Sequence, residues 1–426
     1  MKISDSKLIL RDSKNRIFYL FFSLLIFALI FTFIFSDSIY IYINPVKDDV
    51  NNIVRFADWR IIVDSNICYR EMLDVYSINP CDSSNRRFIY GKALLFLPNP
   101  EGNYFFYTIV FPLISIFLFI ISVTIILSPK SKQDYFILSL LLLSSPLILG
   151  IERFNPEIVI FLTLLLISFY RSSIIIHFLI FIISNIKFYP AMAGLIFLSE
   201  KLKIKNYFNI FFLLIIFTFI FYFNFEELKK IDTYRDGITS TVENVGIFIF
   251  SYYSLPDLFR LISIHLELFN PELLYDITKI LTILLVLTGS YIVLNTCKKK
   301  KIFLDISLSK FEDRLFLLST VFLLVLYFLK FNYLYVEIYF LGLLPFLKKK
   351  VEINNLYKFF YFLIIFKLIL MSVLCLIQNI FFENSIFLKG FNILCKNIID
   401  VSLIIILLSF MISYLLKVMS NFRVQN

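Results

Sequence analysis

The chain has 426 residues and a formal net charge of +10; 59% of its residues are hydrophobic and 17% are charged. A soluble domain has about 45–50% apolar and about 25% charged residues, so this composition excludes a water-soluble globule and a disordered chain. Phe occurs 53 times and Gly only 9 times, and neither GxGxxG nor a P-loop motif occurs. The composition instead predicts an all-α, polytopic integral membrane protein.

The first apolar run, Ile17 to Ser36, follows a basic segment and predicts an uncleaved transmembrane helix. Because Lys and Arg mark cytoplasmic loops, residues 1–16 are expected to be a cytoplasmic N-terminus. The same rule accounts for the basic excess without a nucleic acid partner. The polar stretch 37–103, called loop one below, is longer than a simple connector and is predicted to be extracytoplasmic.

Further apolar runs bring the expected number of transmembrane helices to about twelve, all within a single membrane domain, 1–426. The runs lie at about 105–128, 135–151, 157–170, 174–186, 188–199, 207–225, 274–296, 313–330, 333–347, 356–378 and 397–417. The stretch 174–199 fits either one span or a hairpin. Only the hairpin puts all later basic segments on the cytoplasmic side, so we expect it, with both termini inside and a second outer loop at 226–273. The Phe-, Ile-, Asn- and Lys-rich composition is typical of an AT-rich bacterial genome, so we expect the membrane to be a bacterial inner membrane.

Loop one mixes carboxylates with cations. It carries Asp58, Asp64, Asp74 and Asp82 among Arg60, Arg70, Arg86, Arg87 and Lys92. A carboxylate beside cations can act as a general base next to a bound anion. The alternative is a solvated loop with surface ion pairs worth about 0–1 kcal/mol each.

Two cysteines of loop one, Cys68 and Cys81, are expected to lie on the oxidising side of the membrane. A disulfide between them would close a loop of roughly 14 residues and contribute about 3 kcal/mol in the chain-entropy model. Two free thiols are the alternative. We expect the disulfide.

Two polar turns interrupt apolar runs, ERFNPE at 152–157 and KFYP at 187–190. A hairpin turn with Pro at a helix start accounts for the first in part, but charged groups at membrane depth usually pair or line a cavity. Lys187 is either a snorkelling lysine or a cation for a phosphate. Topology places both turns at the outer face, together with the KFNYLYVE turn near 330–337.

These stretches together resemble the polytopic glycosyltransferases of the GT-C class, above all family 87, the polyprenol-phosphate-mannose-dependent mannosyltransferases. The stretches that carry the resemblance are DWRIIVD (58–64), INPCD (78–82), FIYGKALLFLP (88–98), SSPLILGIERFNPE (144–157) and KFYP (187–190). They cover less than half of the chain. The chain departs from the family at Phe154, where Gly is usual, at Glu157, where Asp is frequent, and at Gly91-Lys92, where Pro is usual.

The resemblance implies a GT-C fold and an inverting, mannosyltransferase-like transfer from a polyprenyl-phosphate sugar donor to a lipid or glycan acceptor during cell-envelope glycan biosynthesis. Asp58 is the expected base, with Asp64 second, and Arg60, Arg153 and Lys187 are expected to hold the donor phosphate. The expected pocket residues are Glu152, Asn155, Tyr189, Tyr90, Lys92 and Asp82. No cofactor is implied. With only two His residues in the chain a His-built metal site is not indicated, and a divalent metal is left open.

Two other classes stay open. A transporter or flippase for lipid-linked saccharides fits the many helices, although the chain lacks two matching Gly- or Pro-broken segments. A polysaccharide polymerase or ligase uses similar substrates and is expected to depend on outer-loop Arg residues. Lys279 and Lys367 lie within predicted helices, where either snorkelling or pairing explains them, and the 226–260 segment is either a lid or a solvated loop.

Overall fold

The computed structural model describes residues 13–36, 54–197, 204–227, 229–230, 250–251, 253–266, 270–299, 306, 308–329, 334–381 and 386–425. Within these ranges the regular elements are all helical and no strand occurs, so the all-α prediction is confirmed for the described residues. The first part of loop one (37–53), residues 1–12, and the middle of the second outer loop (231–249) lie outside them.

The described ranges contain fourteen α-helices, numbered in chain order. They are α1 (Ser13–Phe35), α2 (Ala57–Arg70), α3 (Phe111–Leu127), α4 (Lys132–Leu142), α5 (Ser145–Glu152), α6 (Glu157–Phe169), α7 (Ser173–Ile186), α8 (Ile204–Phe223), α9 (Ser254–Leu266), α10 (Pro271–Lys299), α11 (Phe311–Phe328), α12 (Phe340–Lys350), α13 (Asn355–Phe381) and α14 (Ile386–Gln425). Short 3-10 helices lie at Lys92–Phe96, Tyr189–Phe197 and Leu334–Tyr339, and a π-helical turn, Phe106–Val110, leads into α3.

Among the described residues, five helical segments are long and apolar enough to cross a membrane. They are Arg16–Phe35, Phe106–Leu127, Pro271–Lys298, Asn355–Leu374 and Phe391–Ser420. Helices α4 and α5 form a sixth if the pair, bent by 53°, counts as one span. The chain is therefore a helical, membrane-embedded protein.

Two of the other expected spans are shorter than the hydrocarbon core of a bilayer. Helices α6 and α7 contain 13 and 14 residues, which makes each about 20 Å long at about 1.5 Å per residue, against a hydrocarbon core of about 30 Å. The second limb of the expected hairpin, 188–199, contains the nine-residue 3-10 helix Tyr189–Phe197 instead of an α-helix. The number of about twelve spans and the GT-C fold stay predictions.

The chain does reverse direction within 174–199. The ring of His177 on α7 stacks on the ring of Phe197 with 4.4 Å between their centroids. These two residues lie equally far from Lys187 on either side of the turn. The two limbs therefore run antiparallel, as the hairpin prediction requires.

Segments predicted to be cytoplasmic meet at one end of the helix bundle. Lys348 Nζ donates to the carbonyl oxygen of Leu127 at 3.1 Å, and Arg314 Nη2 donates to that of Ile167 at 2.7 Å. Both cations thus bind carbonyl groups at helix C-termini, where the helix dipole favours positive charge. The turns predicted to be extracytoplasmic meet at the opposite end, where the candidate site lies.

Candidate functional site

Loop one is held against the ERFNPE turn by its backbone. The N–H group of Asp58, in the first turn of α2, donates to the carbonyl oxygen of Arg153 at 3.0 Å, and that of Phe56 donates to Glu152 at 2.9 Å. Glu152 itself is buried. Two motifs that lie almost 100 positions apart are therefore joined at the start of α2.

The Asp58 carboxylate lies between two donors from this turn. Arg153 Nε donates to its Oδ1 at 2.9 Å, and Asn155 Nδ2 donates to its Oδ2 at 2.6 Å. The side chains of Asp58 and Arg153 keep 12% and 17% of their surface exposed, whereas Asn155 is fully buried. The carboxylate is thus oriented by charge-assisted hydrogen bonds and still reachable from outside.

Phe154, where the resembled family has Gly, has a φ of 41°, in the left-handed region that favours glycine. Its ring is buried and makes edge contacts with Trp59 and Phe111 at centroid distances of 5.3 and 5.8 Å. The backbone conformation of the turn is therefore one that Gly adopts easily, and here aromatic packing holds a Phe in it.

A second carboxylate, Glu157, lies at the start of α6. Lys187 Nζ donates to its Oε1 at 2.6 Å, and the hydroxyl groups of Tyr189 and Tyr339 donate to its Oε2. The Glu157 side chain is 1% exposed, while Lys187 keeps 20% of its surface exposed. Lys187 is therefore a paired cation, not a lysine that extends freely to the membrane surface.

Asn155 connects the two carboxylates, because its Oδ1 accepts from the N–H of Glu157 at 3.1 Å while its amide group binds Asp58. The ring of Tyr90, in loop one, lies 5.8 Å from Lys187 Nζ. Burial raises the pKa of Tyr90 well above its ordinary value, and the charge of Asp58 adds to this effect, so Tyr90 remains a phenol. We call the connected set the outer polar cluster; it consists of Asp58, Tyr90, Arg153, Asn155, Glu157, Lys187, Tyr189 and Tyr339.

Sequence reasoning did not single out Tyr339. It lies on the 3-10 helix Leu334–Tyr339 inside a run that was expected to be a span, and only the predicted outer position of the nearby turn indicated this region. Tyr335 of the same helix also contributes, with its ring 5.6 Å from Lys187 Nζ. The C-terminal half of the chain thus completes a site whose other parts lie before residue 190.

Asp64 and Arg60 lie away from the outer polar cluster. Tyr104 donates its hydroxyl hydrogen to Asp64 Oδ1 at 2.9 Å, and Arg60 Nε donates to the Tyr104 oxygen at 2.8 Å. Six positions along α2 correspond to a rotation of about 240°, so Asp58 and Asp64 face different sides of the helix. Burial raises the pKa of Asp64 to about 6, although the hydrogen bond from Tyr104 opposes the shift. Of the three cations expected at the donor phosphate, Arg153 and Lys187 therefore lie together and Arg60 does not join them.

Asp82 stabilises a turn of loop one. Its carboxylate accepts from the backbone N–H groups of Ser84 and Arg86 and from the Arg86 guanidinium, with Arg86 Nη2 at 2.7 Å from Oδ1. Arg86 Nη2 also donates to the carbonyl oxygen of Ala57 at 3.0 Å. Asp82 thus supports the start of α2 through Arg86 and does not touch the cluster directly.

Gly91 and Lys92 join loop one to two other segments. The Gly91 N–H donates to Ile186 at 3.1 Å, a bond that the family's Pro could not make, and a Cβ at this position would lie 1.9 Å from the Asn185 carbonyl oxygen. The Lys92 Nζ group lies 3.0 Å from Glu227 Oε1. The beginning of the second outer loop therefore contacts loop one, while the part expected to act as a lid lies largely outside the described residues.

The expected disulfide between Cys68 and Cys81 is present, with 5.9 Å between the Cα atoms. It connects the last turn of α2 to the INPCD turn. Glu71 lies close enough to complete a group of three potential metal ligands, but both sulfur atoms are bonded to each other and neither is a thiolate. This group therefore does not support a metal site among the described residues.

The two lysines inside predicted helices have partners. Lys279 Nζ lies over the ring of Tyr253, 4.9 Å from its centroid. Lys367 pairs with Glu337 and Asp400. Pairing, not snorkelling, is therefore the arrangement at Lys367.

No family model, curated protein or solved structure matches the chain. The resemblance to family 87 glycosyltransferases rests on the motifs quoted above and remains a prediction.

Proposed function

We propose that the protein is an inverting glycosyltransferase of GT-C type that moves a mannose-like sugar from a polyprenyl-phosphate donor to a lipid or glycan acceptor. One observation carries the proposal: the Asp58–Arg153 and Glu157–Lys187 ion pairs are linked through Asn155 at one end of a membrane-embedded helix bundle, and Asp58, Arg153 and Lys187 are partly exposed there. We propose that this end faces the outside of a bacterial inner membrane, because the basic residues Lys348 and Arg314 lie at the other end.

The geometry supplies the groups that this reaction needs. Asp58 removes the proton from the acceptor hydroxyl, and the resulting oxygen attacks the anomeric carbon from the face opposite the phosphate. The bond from that carbon to the phosphate oxygen breaks, and the polyprenyl phosphate leaves with the electron pair. General-base catalysis contributes about 10²–10⁴-fold in rate, and preorganised cations stabilise the charge that develops on the leaving phosphate.

Glu157 explains how Lys187 can serve the donor. In the structure Lys187 neutralises Glu157, but Glu157 also accepts hydrogen bonds from Tyr189 and Tyr339. When Lys187 turns to the phosphate, these two hydroxyl groups still stabilise the carboxylate. The two hydroxyl groups thus lower the cost of separating Lys187 from Glu157, because the carboxylate keeps two hydrogen bonds when the cation moves away.

A carrier that moves lipid-linked saccharides across the bilayer is the second candidate. The observation in its favour is a group of four charged side chains buried among the C-terminal helices, since charges within membrane helices often mark a transport path. These four charges are at most 1% exposed, whereas Asp58, Arg153 and Lys187 of the outer polar cluster keep 12%, 17% and 20% of their side-chain surface exposed. The transferase is therefore the better-supported function.

The two functions are separated by one assay on the purified protein in proteoliposomes. Polyprenyl-phosphate mannose, labelled in the sugar, is supplied with crude acceptor lipids, and both the product and the leaflet of the donor are followed. We expect labelled product and free polyprenyl phosphate in equal amounts. Donor that changes leaflet without being consumed would replace the transferase with the carrier.

A further inference from the structure

Four charged side chains form a buried network in the C-terminal half. Lys367 on α13 lies 2.9 Å from Glu337 and contacts Asp400 on α14, and Lys396 lies 2.8 Å from Asp400. Each side chain is at most 1% exposed. The network contains two cations and two anions, so its formal charge is zero and each charge depends on its partner.

Three members lie on the long helices α13 and α14, whereas Glu337 lies on the six-residue 3-10 helix Leu334–Tyr339. Lys367 is the cation within ion-pair distance of Glu337 among the described residues. The Lys367 ammonium also lies between the rings of Phe250 and Phe340, at 4.7 and 4.6 Å. This enclosed ion pair therefore joins the short helix to α13, in addition to the packing of its buried side chains Leu334, Val336 and Ile338.

The same short helix carries two residues of the outer site. Tyr339 donates to Glu157, and the ring of Tyr335 lies 5.6 Å from Lys187 Nζ. A 3-10 helix has poorer hydrogen-bond geometry than an α-helix and is rarely stable alone. The place of these two tyrosines consequently depends on tertiary contacts such as the one at Glu337.

We infer that the Glu337–Lys367 ion pair is a positioning device, which holds Tyr335 and Tyr339 against Lys187 and Glu157. The expected effect on catalysis rests on the proposed function, whereas the effect on the position of the two tyrosines does not. Glu337 and Lys367 act through the short helix and touch neither donor nor acceptor. Loss of the pair displaces the tyrosines, and Lys187 then lacks the arrangement that lets it exchange between carboxylate and phosphate.

Two charge-balanced double variants test the inference. Glu337→Gln/Lys367→Met removes the pair that reaches the short helix and leaves Lys396 with Asp400. Lys396→Met/Asp400→Asn removes the other pair and leaves Glu337 with Lys367. Because each variant retains one complete ion pair, neither leaves a lone buried charge, and the second is the matched control for the first.

Hydrogen–deuterium exchange of residues 334–339, measured by mass spectrometry, tests whether the ion pair holds the short helix in place, and it needs no transfer assay. We expect exchange to become at least about tenfold faster in Glu337→Gln/Lys367→Met and to change little in the control. Unchanged exchange, or an equal increase in both variants, would overturn the inference whether or not the protein is a transferase. A wild-type protein without transfer activity overturns only the proposed function.

The rate of sugar transfer tests the expected effect of the ion pair on catalysis. A displaced site residue lowers the rate by about tenfold to 100-fold, so we expect a loss of this size in Glu337→Gln/Lys367→Met and near wild-type transfer in the control. If the pair acts through Tyr339, combining it with Tyr339→Phe gives little additional loss. A loss that simply multiplies with that of Tyr339→Phe would show that the pair does not act through this tyrosine.

Discussion

Asn155 is the residue on which the geometry of the candidate site depends most directly. Its amide group binds Asp58 and its carbonyl oxygen caps the N–H of Glu157, so one buried side chain sets the distance between the two carboxylates. An Asn can do this because it combines a donor and an acceptor in one short group. An Asp at this position would repel Asp58 and would lack the donor.

Substitutions of Phe154 test whether its left-handed backbone conformation strains the ERFNPE turn. Phe154→Ala removes the buried ring and is expected to destabilise the protein by about 3–5 kcal/mol. Phe154→Gly removes the same ring but adopts the positive φ without strain, so we expect it to be more stable than the Ala variant by about 1 kcal/mol. Thermal unfolding of both variants in detergent measures the order. An Ala variant as stable as the Gly variant would contradict the account.

The raised pKa of Asp64 should make the free energy of unfolding depend on pH. Burial raises its pKa from the ordinary 3.8 to about 6, so the folded protein binds this proton more tightly than the unfolded chain does. The contribution of Asp64 is therefore greatest below about pH 4 and falls by roughly 3 kcal/mol as the pH rises through 6. Asp64→Asn should gain stability relative to wild type between pH 4 and pH 7, as measured by thermal unfolding. The exposed Glu101→Gln is the control, and equal pH profiles of wild type and Asp64→Asn would refute the assignment.

At the scale of elements, the site depends on how α2 is fixed. Its first turn is bonded to the ERFNPE turn through Asp58 and Phe56, and its last turn is joined to the INPCD turn through Cys68. Both ends of the helix are thus anchored, and its rotation decides that Asp58 faces Arg153 while Asp64 faces Tyr104.

The disulfide should make a measurable contribution to the stability of the folded protein. In the chain-entropy model, closing a loop of roughly 14 residues stabilises the folded state by about 3 kcal/mol. We expect a reductant to lower the thermal unfolding temperature of the wild type and to leave that of Cys68→Ala/Cys81→Ala unchanged. If the double variant responds to reductant as the wild type does, the effect does not come from the Cys68–Cys81 disulfide.

At the scale of the whole molecule, the charge pattern predicts which segments share an end of the bundle, and which end faces the cytoplasm stays a prediction. Loop one and both polar turns meet at one end, and Lys348 and Arg314 lie at the other, because Lys and Arg positions along the chain constrain the direction of each helix. The rotation of α2, which separates Asp64 from Asp58, has no such signal in the sequence. Tyr339 was missed for a related reason: a tyrosine in an apolar run shows no sign of the carboxylate that it binds.

The orientation of the two ends is open to a direct test. Met72 is 91% exposed and Ile353 is 68% exposed, at opposite predicted faces. Each is replaced by Cys in a background with Cys297, Cys375 and Cys395 changed to Ser. In intact spheroplasts a membrane-impermeant maleimide should label Met72→Cys and should reach Ile353→Cys only after the membrane is opened. The reverse pattern would place the outer polar cluster in the cytoplasm.

The central claim is that the outer polar cluster around Asp58 is the active site of a glycosyltransferase. The most direct measurement compares transfer from labelled polyprenyl-phosphate sugar by wild type, Asp58→Asn and Asp64→Asn, each shown to be folded. We predict that Asp58→Asn lowers the rate by about 10²–10⁴-fold, and that Asp64→Asn lowers it far less. A folded Asp58→Asn with the wild-type rate, or a larger loss in Asp64→Asn, would contradict the account.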